Sequence, residues 1–114
     1  MKDDSLYVEQ MLDATRKIRE FTSGVGFAEF EKNQEKSSAV ILQLAVIGEL
    51  SKRISDEFKN RVPLPWQEIS GFRNRAIHEY LSLDIDEVWK TVQNDIPVLE
   101  SALEKEGAAK LLPK

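Results

Sequence analysis

Residues Gly71-Phe72-Arg73-Asn74-Arg75-Ala76-Ile77-His78-Glu79-Tyr80 gather the only histidine of the chain, two of its arginines and one of its two tyrosines. Imidazole is the one side chain whose ordinary pKa lets it both take and give a proton near neutral pH. A guanidinium presents a planar fork of donors that matches phosphate oxygens. Arg73, Asn74, Arg75, His78 and Tyr80 are therefore the candidate site, and phosphate-ester chemistry is what these groups suit. Structural uses compete with this reading: a lone histidine in a helix is more often a satisfied structural residue, and a tyrosine more often anchors a core edge.

Helix geometry limits what one chain can do. At about 100° per residue, Arg73 and Tyr80 share one face and Asn74 and His78 another, while Arg73 and His78 stand about 140° apart. One regular helix cannot aim all four groups at one atom. Either the helix loosens before His78 or a second copy completes the site across a two-fold axis, and the reading adopted here is the homodimer. A metal site is not indicated, because the chain has one histidine, no cysteine and no strong ligand at helical spacing beyond Glu79 and its neighbours. No other cofactor is called for. A serine nucleophile lacks the strand-turn-helix signature that would expose it.

The elements that must hold this stretch are helices. Ser5 is positioned to cap a first helix, in which Tyr7, Met11, Ala14, Ile18 and Phe21 recur every three or four residues. Gly24 and Gly26 end it, and Phe27 to Asn33 forms a short second helix. Ser37 or Ser38 starts a third, whose apolar set from Ala39 to Ile47 predicts cover on most sides. That helix is expected to continue, with Leu50, Ile54 and Phe58 inward, until Val62-Pro63-Leu64-Pro65 stops it. Gly48 within it would let another backbone approach closely, or is simply a tolerated glycine.

After the prolines, Trp66-Gln67-Glu68-Ile69 opens the helix that carries the candidate site, and Leu81-Ser82-Leu83 reads as a connector. Asp84 or Asp86 caps a last helix with inward Ile85, Val88, Trp89, Val92, Ile96, Leu99 and Leu103. Pro97 predicts a kink or a restart capped by Asn94 or Asp95. Gly107 is expected to end this helix. No segment alternates with strand period, so the class is all-α, an up-and-down bundle of about four to five helices. Residues 1–107 read as one domain and 108–114 as a flexible tail.

Composition narrows the function. With no cysteine, disulfides and thiolate sites are excluded. The first residues lack the apolar run of a signal peptide, and the longest apolar run is too short for the ~20 residues of a bilayer span. A cytoplasmic protein without a membrane partner is the expectation. The net charge of −4 argues against coating nucleic acid by bulk attraction. Its distribution is uneven: residues 1–35 carry −3, residues 36–78 carry +3 and residues 79–114 carry −4. Lys52, Arg53, Lys59, Arg61, Arg73 and Arg75 leave two readings open, a local face that attracts anions or solvated helix faces that happen to be basic.

These residues also resemble a known family. Arg73, four intervening residues, His78, one residue and Tyr80 match the RxxxxHxY pattern of the HEPN superfamily, with Asn74 as the polar residue after the arginine. The surrounding text is similar to its HepT-like branch: Val46-Ile47-Gly48-Glu49-Leu50, Pro63-Leu64-Pro65-Trp66, Gly71-Phe72-Arg73-Asn74, Val88-Trp89 and Asp95-Ile96-Pro97. Phe72, where methionine is expected, is a mild departure.

The resemblance implies the toxin of a type VII HepT/MntA toxin-antitoxin system: a small dimeric endoribonuclease that cuts RNA without a metal. Arg73 and His78 would be catalytic, with Asn74, Arg75 and Tyr80 contacting substrate. It also implies a partner, an MntA-like nucleotidyltransferase antitoxin that AMPylates Tyr80. The rival from another class is a non-catalytic HEPN subunit that binds or regulates a nucleotidyltransferase. Nucleotide or small-molecule binding in the same cleft is a third reading.

Overall fold

The computed structural model describes residues 4–82 and 84–111. Helix α1 (Ser5–Thr22) buries Val8, Met11, Leu12, Ala14, Thr15 and Ile18, the three-and-four spacing of a core-facing stripe. Tyr7 and Phe21 pack half-buried at its ends. Ser5 is the first helical residue rather than the cap. Asp4 precedes it, and its carboxylate accepts from the backbone N–H of Ser55 at 2.9 Å and from the Ser55 hydroxyl at 2.6 Å. The acid is thus drawn away from its own helix to tie down the start of another.

Gly24 takes a positive φ of 71° and turns the chain out of α1, as its lack of a Cβ permits. Helix α2 (Phe27–Lys32) follows, and Asn33 closes it and opens α3 (Gln34–Ser51), its side chain accepting from Lys36 N–H at 2.9 Å. The cap is therefore Asn33, four residues before the expected serine. Ser37 lies inside the helix, where its hydroxyl returns to the Gln34 carbonyl.

Helix α3 is central, packing on α1 along one side and on the later helix α6 (Phe72–Leu81) along another. Val40, Ile41, Leu44 and Ile47 are buried, and Leu42 alone of its large aliphatic residues is broadly exposed. It does not run on to the prolines as expected. It stops at Ser51, and Ser55 caps a separate helix α4 (Asp56–Arg61) by accepting from Phe58 N–H at 3.2 Å. Ile54 and Phe58 are buried all the same, because the break swings α4 back against the core.

The site-bearing segment is also two pieces. Helix α5 (Trp66–Ser70) ends at Gly71, whose N–H reaches the Gln67 and Glu68 carbonyls, and α6 (Phe72–Leu81) begins at once. Leu81 closes α6, Ser82 is a turn, and Leu83 of the expected connector lies outside the described residues. Helix α7 (Ile85–Lys90) starts after Asp84, which makes no side-chain capping bond.

At Pro97 the chain stays helical and does not restart from a cap. Thr91–Asp95 makes one π-helical turn, in which Ile96 N–H bonds the carbonyl of Thr91, five residues back. The wider turn absorbs a residue that has no N–H to give and would crowd the carbonyl four positions earlier. Helix α8 (Ile96–Leu111) then continues through Gly107 instead of ending there. The result is an all-α bundle built around α1, α3, α6 and α8. Among the described residues no strand occurs, and no helix is long and apolar enough to cross a membrane.

Candidate active site

Helix α6 carries every candidate residue. Phe72 and Ala76 face the core, which fixes the helix's rotation and turns the opposite arc to solvent. Taking Arg73 as zero, about 100° per residue puts Ile77 near 40°, Leu81 near 80°, Asn74 near 100°, His78 near 140° and Arg75 near 200°; Tyr80 lies about 20° on the other side. The helix is regular from Phe72 to Leu81, so it does not loosen before His78.

His78 is not a core histidine. Its side chain is 77% exposed, and Nδ1 lies 3.5 Å from Glu79 Oε1. Arg73 is also open to solvent: Nη1 donates to Asn74 Oδ1 at 3.4 Å, and Nε lies 3.9 Å from Glu49 Oε1 on α3. Arg73 and Asn74 are thus brought together, whereas Arg73 and His78 of one chain are held on separate flanks. Tyr80 is half-buried and packs against the core, on the flank next to Arg73. Arg75 sits beyond His78, where its charge faces Asp95 on the π turn; burial pushes the Asp95 carboxyl up, Arg75 opposes this, and Glu68 adds to it.

Two features around the face were not assigned from sequence. The first is Glu49, whose side chain meets Arg73 across 24 positions of chain; only a tertiary contact reveals it, although the close-packing glycine beside it was a signal. The second is an acidic group just past His78, formed by Glu79, Asp84 and Asp86. A proton shared with Asp86, together with Glu79, raises the Asp84 carboxyl to about 6, and the same bond holds Asp86 below the ordinary range.

An exposed Arg-Asn-His face flanked by tyrosine, on a short helix locked into a small helical bundle, defines an RxxxxHxY protein. The chain belongs to the HepT-like family: the family model described as "Ribonuclease HepT-like" matches residues 11–106. It is 40% identical over 100 residues to a probable ribonuclease HepT of Thermococcus cleftensis, covering 87% of this chain and 91% of that one. It is 34% identical over 104 residues to the putative RNase MJ1380 of Methanocaldococcus jannaschii, covering 90% and 95%. It is 32% identical over 106 residues to the putative RNase TTE0752 of Caldanaerobacter subterraneus, covering 92% and 95%. No solved structure matches the chain.

Proposed function

We propose that the chain is a metal-independent endoribonuclease that works as a homodimer and serves as the toxin of a toxin-antitoxin pair. The observation that carries the reading is the solvent-open arc of α6, where Arg73, Asn74 and His78 stand unburied in a member of the HepT-like family. The 2′-hydroxyl of RNA attacks the adjacent phosphorus, the bond to the 5′-oxygen breaks, and a 2′,3′-cyclic phosphate and a 5′-hydroxyl result. His78 takes the proton of the attacking hydroxyl or gives one to the leaving oxygen, and Arg73 holds the negative charge that develops on the phosphate. The requirement for a 2′-hydroxyl selects RNA over DNA. Asn74 and Tyr80 border the phosphate site, and Arg75 guides the backbone on the His78 side.

The dimer follows from angles and from apolar surface. Arg73 and His78 of one regular helix diverge by about 140° and need a second chain to meet. Between them Ile77 is 43% exposed and Leu81 75% exposed, four residues apart on one stripe. Pairing α6 with its copy covers both and sets the arginine of one protomer against the histidine of the other.

The antitoxin is a nucleotidyltransferase that transfers AMP from ATP to the Tyr80 hydroxyl, releasing pyrophosphate. The new phosphodiester adds negative charge and bulk beside Arg73 and fills the anion site RNA needs. The alternative, a non-catalytic subunit of such a transferase, keeps the fold and loses the cleavage. His78→Ala tests the choice: loss of RNA cleavage with the dimer and its melting unchanged supports the enzyme, and full activity removes His78 from the mechanism.

A further inference from the structure

We propose that Glu49 is a positioning residue for Arg73: its carboxylate takes the Nε side of the guanidinium and leaves the outer Nη edge to the phosphate. The inference rests on the ribonuclease reading of this face. The contact joins two helices. Glu49 Oε1 lies 3.9 Å from Arg73 Nε and 3.4 Å from Lys52 Nζ, while Arg73 Nη1 leans on Asn74 Oδ1. At Gly48, the preceding residue, α3 lies close against the start of α6, since a Cβ there would stand 3.0 Å from the backbone nitrogen of Arg73. The same closeness brings the neighbouring carboxylate within reach of that arginine.

The pair is not there to hold the fold. Both side chains are about half exposed, and ion pairs so wetted contribute little to stability. Nor does an acid beside an anion site help binding. A carboxylate and a phosphate about 6 Å apart in water repel enough to weaken affinity about three-fold. What Glu49 supplies is direction. A guanidinium drawn by a carboxylate at its Nε end samples fewer orientations, so the Nη fork meets the transition-state oxygens with less search. Binding and turnover should therefore respond to Glu49 with opposite signs, which a purely structural residue does not do.

The test is Glu49→Gln, of nearly equal shape and without charge, in the full chain. With a single-stranded RNA oligonucleotide at low salt, KM is expected to fall about three-fold and kcat to fall about ten-fold or more, with melting unchanged. Glu49→Asp should recover part of the lost kcat. An unchanged kcat, a raised KM, or an aspartate variant no better than glutamine overturns the proposal. If the wild-type chain cuts no RNA, the ribonuclease reading fails by itself, and the Arg73 Nε–H resonance then decides. That signal is assigned by its loss in Arg73→Lys. A shift in Glu49→Gln larger than at the other arginines supports the contact, and an unmoved signal overturns it.

Discussion

Replacing Gly48 by alanine tests the packing that places Arg73. A glycine inside an ordinary exposed helix gains about 1 kcal/mol on becoming alanine, because alanine loses less backbone freedom on folding. Here the added Cβ would lie 3.0 Å from Arg73 N and 3.4 Å from the carbonyl oxygens of Ile69 and Ser70. Contacts of this kind relax at about 3.5–4.0 Å. All three neighbours are backbone and none can rotate aside. Overpacking of this type costs about 1–3 kcal/mol. Set against the helix gain, the variant is destabilised by roughly 0–2 kcal/mol, and about 1 kcal/mol lowers Tm by about 4 °C in a chain of this size. The displacement falls on the first turn of α6, where Arg73 is the second residue, so RNA cleavage should drop about ten-fold. Thermal melting by circular dichroism and cleavage of a labelled oligonucleotide read both effects. Gly48→Val, bulkier and β-branched, should lose more of each. A higher Tm with unchanged kcat for Gly48→Ala would refute the close approach.

Two other outcomes follow from the same face. Leu81→Glu puts a charge into the exposed apolar stripe between Arg73 and His78; sedimentation should show the dimer lost and cleavage lost with it, and a persistent dimer would move the interface elsewhere. Asp84→Asn removes a carboxyl whose native pKa is raised to about 6 by the proton shared with Asp86 and by Glu79. A raised carboxyl favours the fold while protonated and loses that contribution as pH climbs from about 4 through about 6. The asparagine variant should therefore melt higher than wild type at pH 7, and the difference should vanish as pH falls below about 4; a difference independent of pH would mean that the acids do not share a proton.

Much of the bundle was legible because burial imposes period. The α1 stripe of Met11, Ala14 and Ile18 and the apolar run of α3 are solutions to hiding one face or several, and those faces are where the chain packs. The breaks were less legible, since their local signals, the caps at Asn33 and Ser55 and the turn at Gly71, are short and sit inside a continuing apolar pattern. Ile54 and Phe58 keep the core pattern across the gap after Ser51 and mask the local cap at Ser55, which Asp4 also holds from the other end of the chain. Pro97 carried a clear local signal, but the chain answers it with a π turn at Thr91–Asp95. Gly48 is the reverse case, a local oddity that sequence leaves open between a close approach and a tolerated glycine, and that the structure places against the backbone of Arg73.

The candidate site divides in the same way. Residue types and spacing singled out α6, and the exposure of His78 takes it out of the core. What spacing could not supply is convergence, because it describes one helix. Phe72 and Ala76 hold the inner face, so rotating α6 to bring His78 toward Arg73 would drag both from the core, with burial of a phenylalanine worth about 1.5–3 kcal/mol. Rotation is therefore closed as a route within one protomer. A second chain meets no such obstacle: Ile77 and Leu81 expose apolar surface between the two groups, and in the proposed dimer covering it would favour the approach that brings them together. Under this arrangement the arginine and histidine of one protomer need not meet. A mixed dimer of Arg73→Ala and His78→Ala chains should then recover activity at one of its two composite sites, to about half the wild-type level per dimer, while either variant alone stays inactive.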